Sequence, residues 1–307
     1  MVLPAVMGGR AGNARDRRWL SRSELTLSIA PRETIGRVLS AAGLSQVTDG
    51  LAALRLWGQT GDRPNVWIAA ADPVHLEARL DHLRLHALVG EQSPIPDLRA
   101  IFDHLQQSLG EDTAYAFARV GEYGYLRSDR EIATASLSAS AIDGMEPDDF
   151  MPSGESAADY HKLSGELQMC LHDHEVNLRR EEQGLMPVNS IWFWGGGTAP
   201  DKTVERLPPL FGDDPLLTGY WESRTGVISA WSGSFGGCLE VAAKDFVVVT
   251  PVPDHGEDRL TPYLTELREL LRAGRVHRLV LLFRDGLTAR IGRFDAFRLW
   301  RRTSKLL

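Results

Sequence analysis

His174-Glu175-Val176-Asn177-Leu178-Arg179-Arg180, then Gly184, then Pro187-Val188-Asn189-Ser190-Ile191-Trp192-Phe193-Trp194-Gly195-Gly196-Gly197, is the stretch that decides the fold. It reads as helix, turn, strand and glycine loop, one α/β step of a layered domain. His174, Asn177 and Arg180 stand three residues apart, a spacing that gathers side chains on one helix face. Arg180 offers a planar fork suited to carboxylate or phosphate, and Asn177 both donates and accepts. Asn189 precedes an apolar strand that empties into Gly195, Gly196 and Gly197, where backbone N–H groups are open to an anion. The expected pocket therefore has His174, Asn177, Arg180 and Asn189 on one wall and the three glycines on another. Its ligand is small and phosphorylated or carboxylated. The plainer reading is that the asparagines fix a turn and the glycines allow tight packing. The triple glycine lacks the spacing and Lys of a P-loop and the spacing of a dinucleotide fingerprint.

Upstream, residues 157–174 have helical periodicity, and residues 139–156 are rich in Gly, Pro, Asp and Ser, as a long loop or linker would be. Residues 114–127 read as a β-hairpin around Gly121-Glu122, and 95–109 as an amphipathic helix ended by Gly110. Residues 74–88 fit a hairpin or a helix. Residues 65–71 look like a strand that Asp72-Pro73 should stop, because proline lacks the N–H a ladder needs. A strand at 24–30 and a helix at 32–42 open the chain after a basic leader, residues 1–22, expected as a frayed arm. Downstream, residues 226–230 read as a strand, and 246–252, 260–273, 278–283 and 287–291 as strand, helix, strand, strand. The expected fold class is α/β: a mixed, mostly open sheet with flanking helices. Residues 24–307 form one domain, with an internal boundary expected in 139–156.

The 307 residues carry 43% hydrophobic and 24% charged side chains, ordinary for a globular chain. A net charge of −7 gives no general field for a phosphate backbone, so nucleic acid is not an expected partner, a local basic patch aside. Two cysteines are too few for a disulfide framework, which points to a reducing cytosol. Eighteen consecutive apolar residues occur nowhere, so no membrane span is expected. No protein partner can be named from the sequence.

The joint pattern His174-x-x-Asn177-x-x-Arg180-x-x-x-Gly184-x-x-Pro187-x-Asn189 with its Trp-Gly-x-Gly end resembles a block of archaeal-type cofactor-independent phosphoglycerate mutases. Residues 187–197 resemble more closely the bacterial RpfE-type regulatory protein family, which is phosphoglycerate-mutase-like. Ala71-Asp72-Pro73-Val74-His75-Leu76 and Phe297-Arg298-Leu299-Trp300-Arg301-Arg302 are also similar to that family, whereas Glu175 stands where it commonly has proline. The resemblance implies a reduced alkaline-phosphatase-like fold. It also implies a superfamily whose active members use two divalent metals and a phosphorylated Ser.

No early Asp-Gly metal motif followed by a nucleophile Ser is visible, so no metal site, cofactor or catalytic residue is assigned. Asp254-His255-Gly256-Glu257 alone has the look of a metal-ligand fragment; His172, Asp173, His174 and Glu175 point in different directions on a helix. Asp72 with His75, and Asp213 with Asp214 before Pro215, are read as turn chemistry rather than catalysis. The leading reading is a phosphoglycerate-mutase-like binding or regulatory protein. The alternative is an active mutase or phosphatase with diverged ligands, Asp254, His255 and His172 among them. In a third reading, an interaction protein, Trp192, Phe193 and Trp194 are core or interface residues.

Overall fold

A computed structural model describes residues 1–6, 14–27, 34–110, 114–242, 244–253, 257–293 and 295. Strands and helices are numbered separately in chain order. The chain divides into two compact units: unit 1 is Met1–Gln46, Lys202–Asp214 and Arg224–Leu307, and unit 2 is Val47–Asp201 with Pro215–Ser223.

Unit 1 holds two sheets. The first has the order β1 (Val2–Leu3), β11 (Arg278–Phe283), β12 (Leu287–Gly292), β2 (Glu24–Leu27). The second is short and parallel: β10 (Val247–Val248), β8 (Leu210–Phe211), β9 (Ile228–Ser229). Helices α1 (Ala14–Leu20), α2 (Thr34–Ala42), α8 (Phe235–Val241) and α9 (Leu260–Arg272) accompany them. α9 turns Leu260, Leu264, Leu267 and Leu271 to a core shared with Phe235, Leu279 and Leu281, as apolar residues three and four apart require. The basic leader is not a frayed arm where it is described: Val2 and Leu3 pair in parallel with Leu282 and Phe283 and are almost wholly buried. Their apolar pair outweighs the arginines in setting the local structure.

Unit 2 is built on β3 (Ile68–Ala78), whose sheet runs β4 (Leu83–Ala87), β3, β6 (Tyr123–Ser128), β5 (Tyr115–Val120), with β7 (Ser190–Gly197) on the other side of β3. Residues 74–88 are thus a hairpin. Pro73 does not stop the strand. On one flank β6 pairs with Ile68–Ala70 and β4 with Val74–Ala78, so the proline falls at the changeover, where its missing N–H breaks no ladder bond. Helices α3 (Leu51–Thr60), α4 (Ile95–Leu105), α5 (Ala158–His172), α6 (Glu175–Glu182) and α7 (Pro215–Ser223) complete the unit.

Residues 139–156 form no boundary. Gly144 N donates to Leu85 O at 2.7 Å, Leu85 N to Met145 O at 3.0 Å and Ala87 N to Asp143 Oδ1 at 3.0 Å, so this segment satisfies the outer edge of β4. Trp192 and Phe193 are buried, and Trp194 nearly so.

Candidate functional site

The 174–197 block begins where α5 ends. His174 does not continue that helix: its backbone is extended (φ −67°, ψ 136°), and it is the N-cap of α6, its Nδ1 accepting from Val176 N at 3.2 Å. It therefore leaves the face on which Asn177 and Arg180 lie, contrary to the shared face expected. Burial comes first, then neighbouring His104, in holding its pKa below the usual 6.5. The two imidazoles stand 4.8 Å apart.

Asn177, 2% exposed, uses its whole amide on the backbone. Nδ2 donates to Leu171 O (2.7 Å) and Val188 O (2.8 Å), and Oδ1 accepts from Val188 N (2.8 Å). Asn189 does the same across the sheet, accepting from Leu76 N at 2.7 Å and donating to Leu76 O at 3.0 Å. Arg180 Nε donates to Met186 O at 2.8 Å; its Nη1 is 3.6 Å from Asp97 Oδ2, and Arg179 reaches the same carboxylate at 3.0 Å. Burial lowers the Arg180 pKa and Asp97 opposes the shift. His75 Nδ1 is 2.9 Å from Pro187 O.

These bonds share one cause. Residues 185–189 run extended between α6 and β7 without a ladder partner of their own. Backbone groups outside a ladder bond elsewhere: Arg180, His75 and Asn177 meet the carbonyls of Met186, Pro187 and the buried Val188 in turn. Gly184 starts the segment at φ 70°, with Gly184 N bonded to Glu181 O and Leu185 N to Arg180 O, the paired bonds of a Schellman end.

The three glycines are at the other end of β7, about 23–30 Å from Val188 at a strand's rise per residue. They are strand, not an open loop. Gly196 N donates to Thr134 Oγ1, and Gly50 N to Gly196 O. A Cβ at Gly195, Gly196 or Gly197 would lie 2.9 Å from Leu51 Cβ, 2.6 Å from Trp67 Cζ2 and 2.5 Å from Gly50 N respectively. Glycine is needed there because the start of α3 packs against the strand end. The structure thus brings Asn177, Arg180 and Asn189 together around the 185–189 segment and keeps Gly195, Gly196 and Gly197 apart from them.

Of the remaining candidates, Asp72 and His75 are an odd number of positions apart on β3 and project to opposite faces. Asp72 is buried, with Oδ1 3.1 Å from Arg55 Nη1 and Oδ2 2.5 Å from Trp194 Nε1. Arg55 in turn donates to Gly124 O and Tyr125 Oη and lies over the rings of Tyr123, Tyr125 and Trp194 at 4.7, 4.8 and 5.3 Å. Burial opposes its charge, and Asp72 and Tyr125 more than offset this, raising its pKa. Sequence reading missed this cage because Arg55, Asp72, Tyr125 and Trp194 come from four elements with no spacing to link them. Asp213 and Asp214 lead into α7, whose first residue is Pro215. His172 and Asp173 are solvated. Asp254, His255 and Gly256, like Phe297–Arg302, lie outside the described residues; among those described, no three of His, Cys, Asp and Glu are grouped to hold a metal ion.

No protein-family model matches this chain. It is 40% identical over 65 residues to a 2,3-bisphosphoglycerate-independent phosphoglycerate mutase of Methanosarcina barkeri, covering 21% of this chain and 16% of that protein. A probable enzyme of the same name from Geobacter sulfurreducens is 32% identical over 104 residues, 33% of this chain and 26% of the relative. Homology to cofactor-independent phosphoglycerate mutases is local: the matched stretches span about a sixth to a quarter of these relatives' length. Among solved structures, a cofactor-independent phosphoglycerate mutase from Thermoplasma acidophilum aligns with 92% of this chain and 83% of its own, at 17% identity and a TM-score of 0.39. A protein from Pyrococcus horikoshii aligns over 95% and 86%, at 14% identity and 0.46. No helix among the described residues is long and apolar enough to cross a membrane.

Proposed function

We propose that this chain is a phosphoglycerate-mutase-like protein of the RpfE-type regulatory kind, which binds a small phosphorylated or carboxylated ligand without turning it over. Its local identity to the mutases supports the kinship. The observation that carries the non-catalytic part of the reading is that the asparagines of the resembling block are committed to backbone, Asn177 through three bonds and Asn189 through two, and that Arg180 Nε is held by Met186 O. What this block has in common with the enzymes is a frame. A side chain spent on holding a strand lead-in is not free to move a proton or a phosphoryl group. Both cysteines are free thiols, in keeping with the reducing cytosol proposed for it.

The test pairs turnover with binding. The full chain is incubated with 3-phosphoglycerate and a divalent metal while 2-phosphoglycerate is followed by a coupled assay, and its melting is recorded with and without 3-phosphoglycerate. The expected result is no interconversion with a raised Tm, since ligand at a hundred times its Kd adds about 2.7 kcal/mol. Sustained interconversion would overturn the non-catalytic reading. Unchanged melting across phosphorylated and carboxylated acids would remove the ligand.

A further inference from the structure

We infer that an arginine-lined cavity in unit 1 binds a small oxyanion carrying two or more negative charges. The cavity measures about 170 Å3, room for five or six waters at roughly 30 Å3 each. α1 and the turn after it bring Arg15, Arg18, Trp19 and Arg22, a spacing that gathers them on one helix face. α9 brings Arg268, Leu271 and Arg272 by the same rule, and Arg293 enters from the end of β12. No acid is among the lining residues. The reading above concerns kinship and turnover; the cavity lies outside the 174–197 block and stands independently of it.

Six guanidiniums line one space, and like charges gathered together repel one another. Arg268 sharpens the point. It is 4% exposed, its Nη1 lies 2.6 Å from Asp16 Oδ1, and its Nε has no hydrogen-bond partner among the described residues. A buried charged N–H without an acceptor is costly, and this side chain borders the cavity. Arg293 is held close, its guanidinium resting against Gly274, where a Cβ would stand 3.4 Å from Cζ.

Guanidinium forks pair with carboxylate and phosphate alike, so the ligand chemistry is that of phosphoryl or paired carboxylate groups. Trp19 and Leu271 add an apolar wall, which suits an organic anion with a short carbon skeleton. A nucleic acid fits less well: the space is a few water volumes, and the chain's overall charge repels a long polyanion.

The test measures melting of the full chain in pyrophosphate at matched ionic strength, beside an Arg18→Ala/Arg272→Ala variant. Both positions are exposed and neither belongs to the buried Asp16–Arg268 pair. Saturable protection of wild type, with at least tenfold weaker apparent affinity in the variant, is expected. Where the double variant does not fold, Arg272→Lys keeps the charge and loses the fork, and should show weaker protection still measurable against wild type. No protection of wild type, or equal protection of wild type and variants, would overturn the site. So would tighter binding of a single-stranded oligonucleotide than of pyrophosphate. Absence of pyrophosphate protection, with 3-phosphoglycerate still protecting both proteins alike, would refute this cavity and leave the proposed function intact.

Discussion

Replacing Asn177 by alanine removes three hydrogen bonds at once; Leu171 O keeps the amides of Asp173 and His174, but Val188 O and Val188 N lose the partner they have in the wild type. At about 1–1.5 kcal/mol for each bond lost, the expected destabilisation is about 3–5 kcal/mol, large for one substitution. Asn177→Asp should do no better: it keeps an acceptor for Val188 N–H but turns a carboxylate toward two carbonyl oxygens. Because the chain has two compact units, a single unfolding transition is not assumed. The local readout is native-state hydrogen exchange of residues 186–190, where the Val188 amide donates to Asn177 in the wild type. A loss of about 3 kcal/mol predicts exchange faster by a hundredfold or more, at about 1.4 kcal/mol per tenfold. A destabilisation below about 1 kcal/mol with unchanged exchange would refute the idea that this amide holds the lead-in to β7.

Arg180→Lys keeps the charge but loses the Nε–Met186 O bond, and should cost about 1–3 kcal/mol in denaturant unfolding, a deficit that phosphate does not alter; a phosphate-dependent difference would restore the anion role expected of Arg180. His174 has a folded pKa below 6.5, so the folded state binds fewer protons than the unfolded one. Its contribution is therefore complete above about pH 6.5 and lost as the pH falls through that value toward the folded pKa. His104, Glu175 and Arg179 are the charged groups acting on it, and His174→Asn, still an N-cap, should flatten the urea midpoint between pH 5 and 7. An unaltered slope would assign the effect elsewhere. Gly195→Ala places a Cβ 2.9 Å from Leu51 Cβ at φ 62° and should cost about 1–3 kcal/mol. Gly165→Ala, on α5 with open space around it, should stabilise by about 0.5–1 kcal/mol. Equal melting of the two would discount the packing of α3 on β7.

The periodic elements were legible: α4, α5, α9, the β5–β6 hairpin and the strands β7, β11 and β12 fall where residue spacing puts them. Polar residues were harder. The spacing of Asn177, Arg180 and Asn189 is as informative as it looks, but it encodes satisfaction of an unpaired backbone segment, and the same donors and acceptors would serve an anion. The length of β7, which separates this segment from the three glycines, is what the local spacing could not show. The Pro73 changeover and the Arg55 cage depend on partners far along the chain, which no local pattern marks. The arginines of residues 15–22 fall in the stretch expected as a frayed arm for the same reason, since the α9 residues that share their cavity come about 250 positions later.

That separation has a counterpart in time. Unit 2 apart from α7 is complete by Asp201, whereas Val2 first meets Val249 and Thr250, and Val2 and Leu3 find their β11 partners at Leu282 and Phe283. At about 5–20 residues per second, the first strand waits roughly a quarter of a minute to a minute after emerging from the ribosome before its sheet can close. Throughout synthesis its two apolar side chains have no β11 to join, and a chain halted anywhere before Leu282 carries an open sheet edge that chaperones and proteases can read as unfinished.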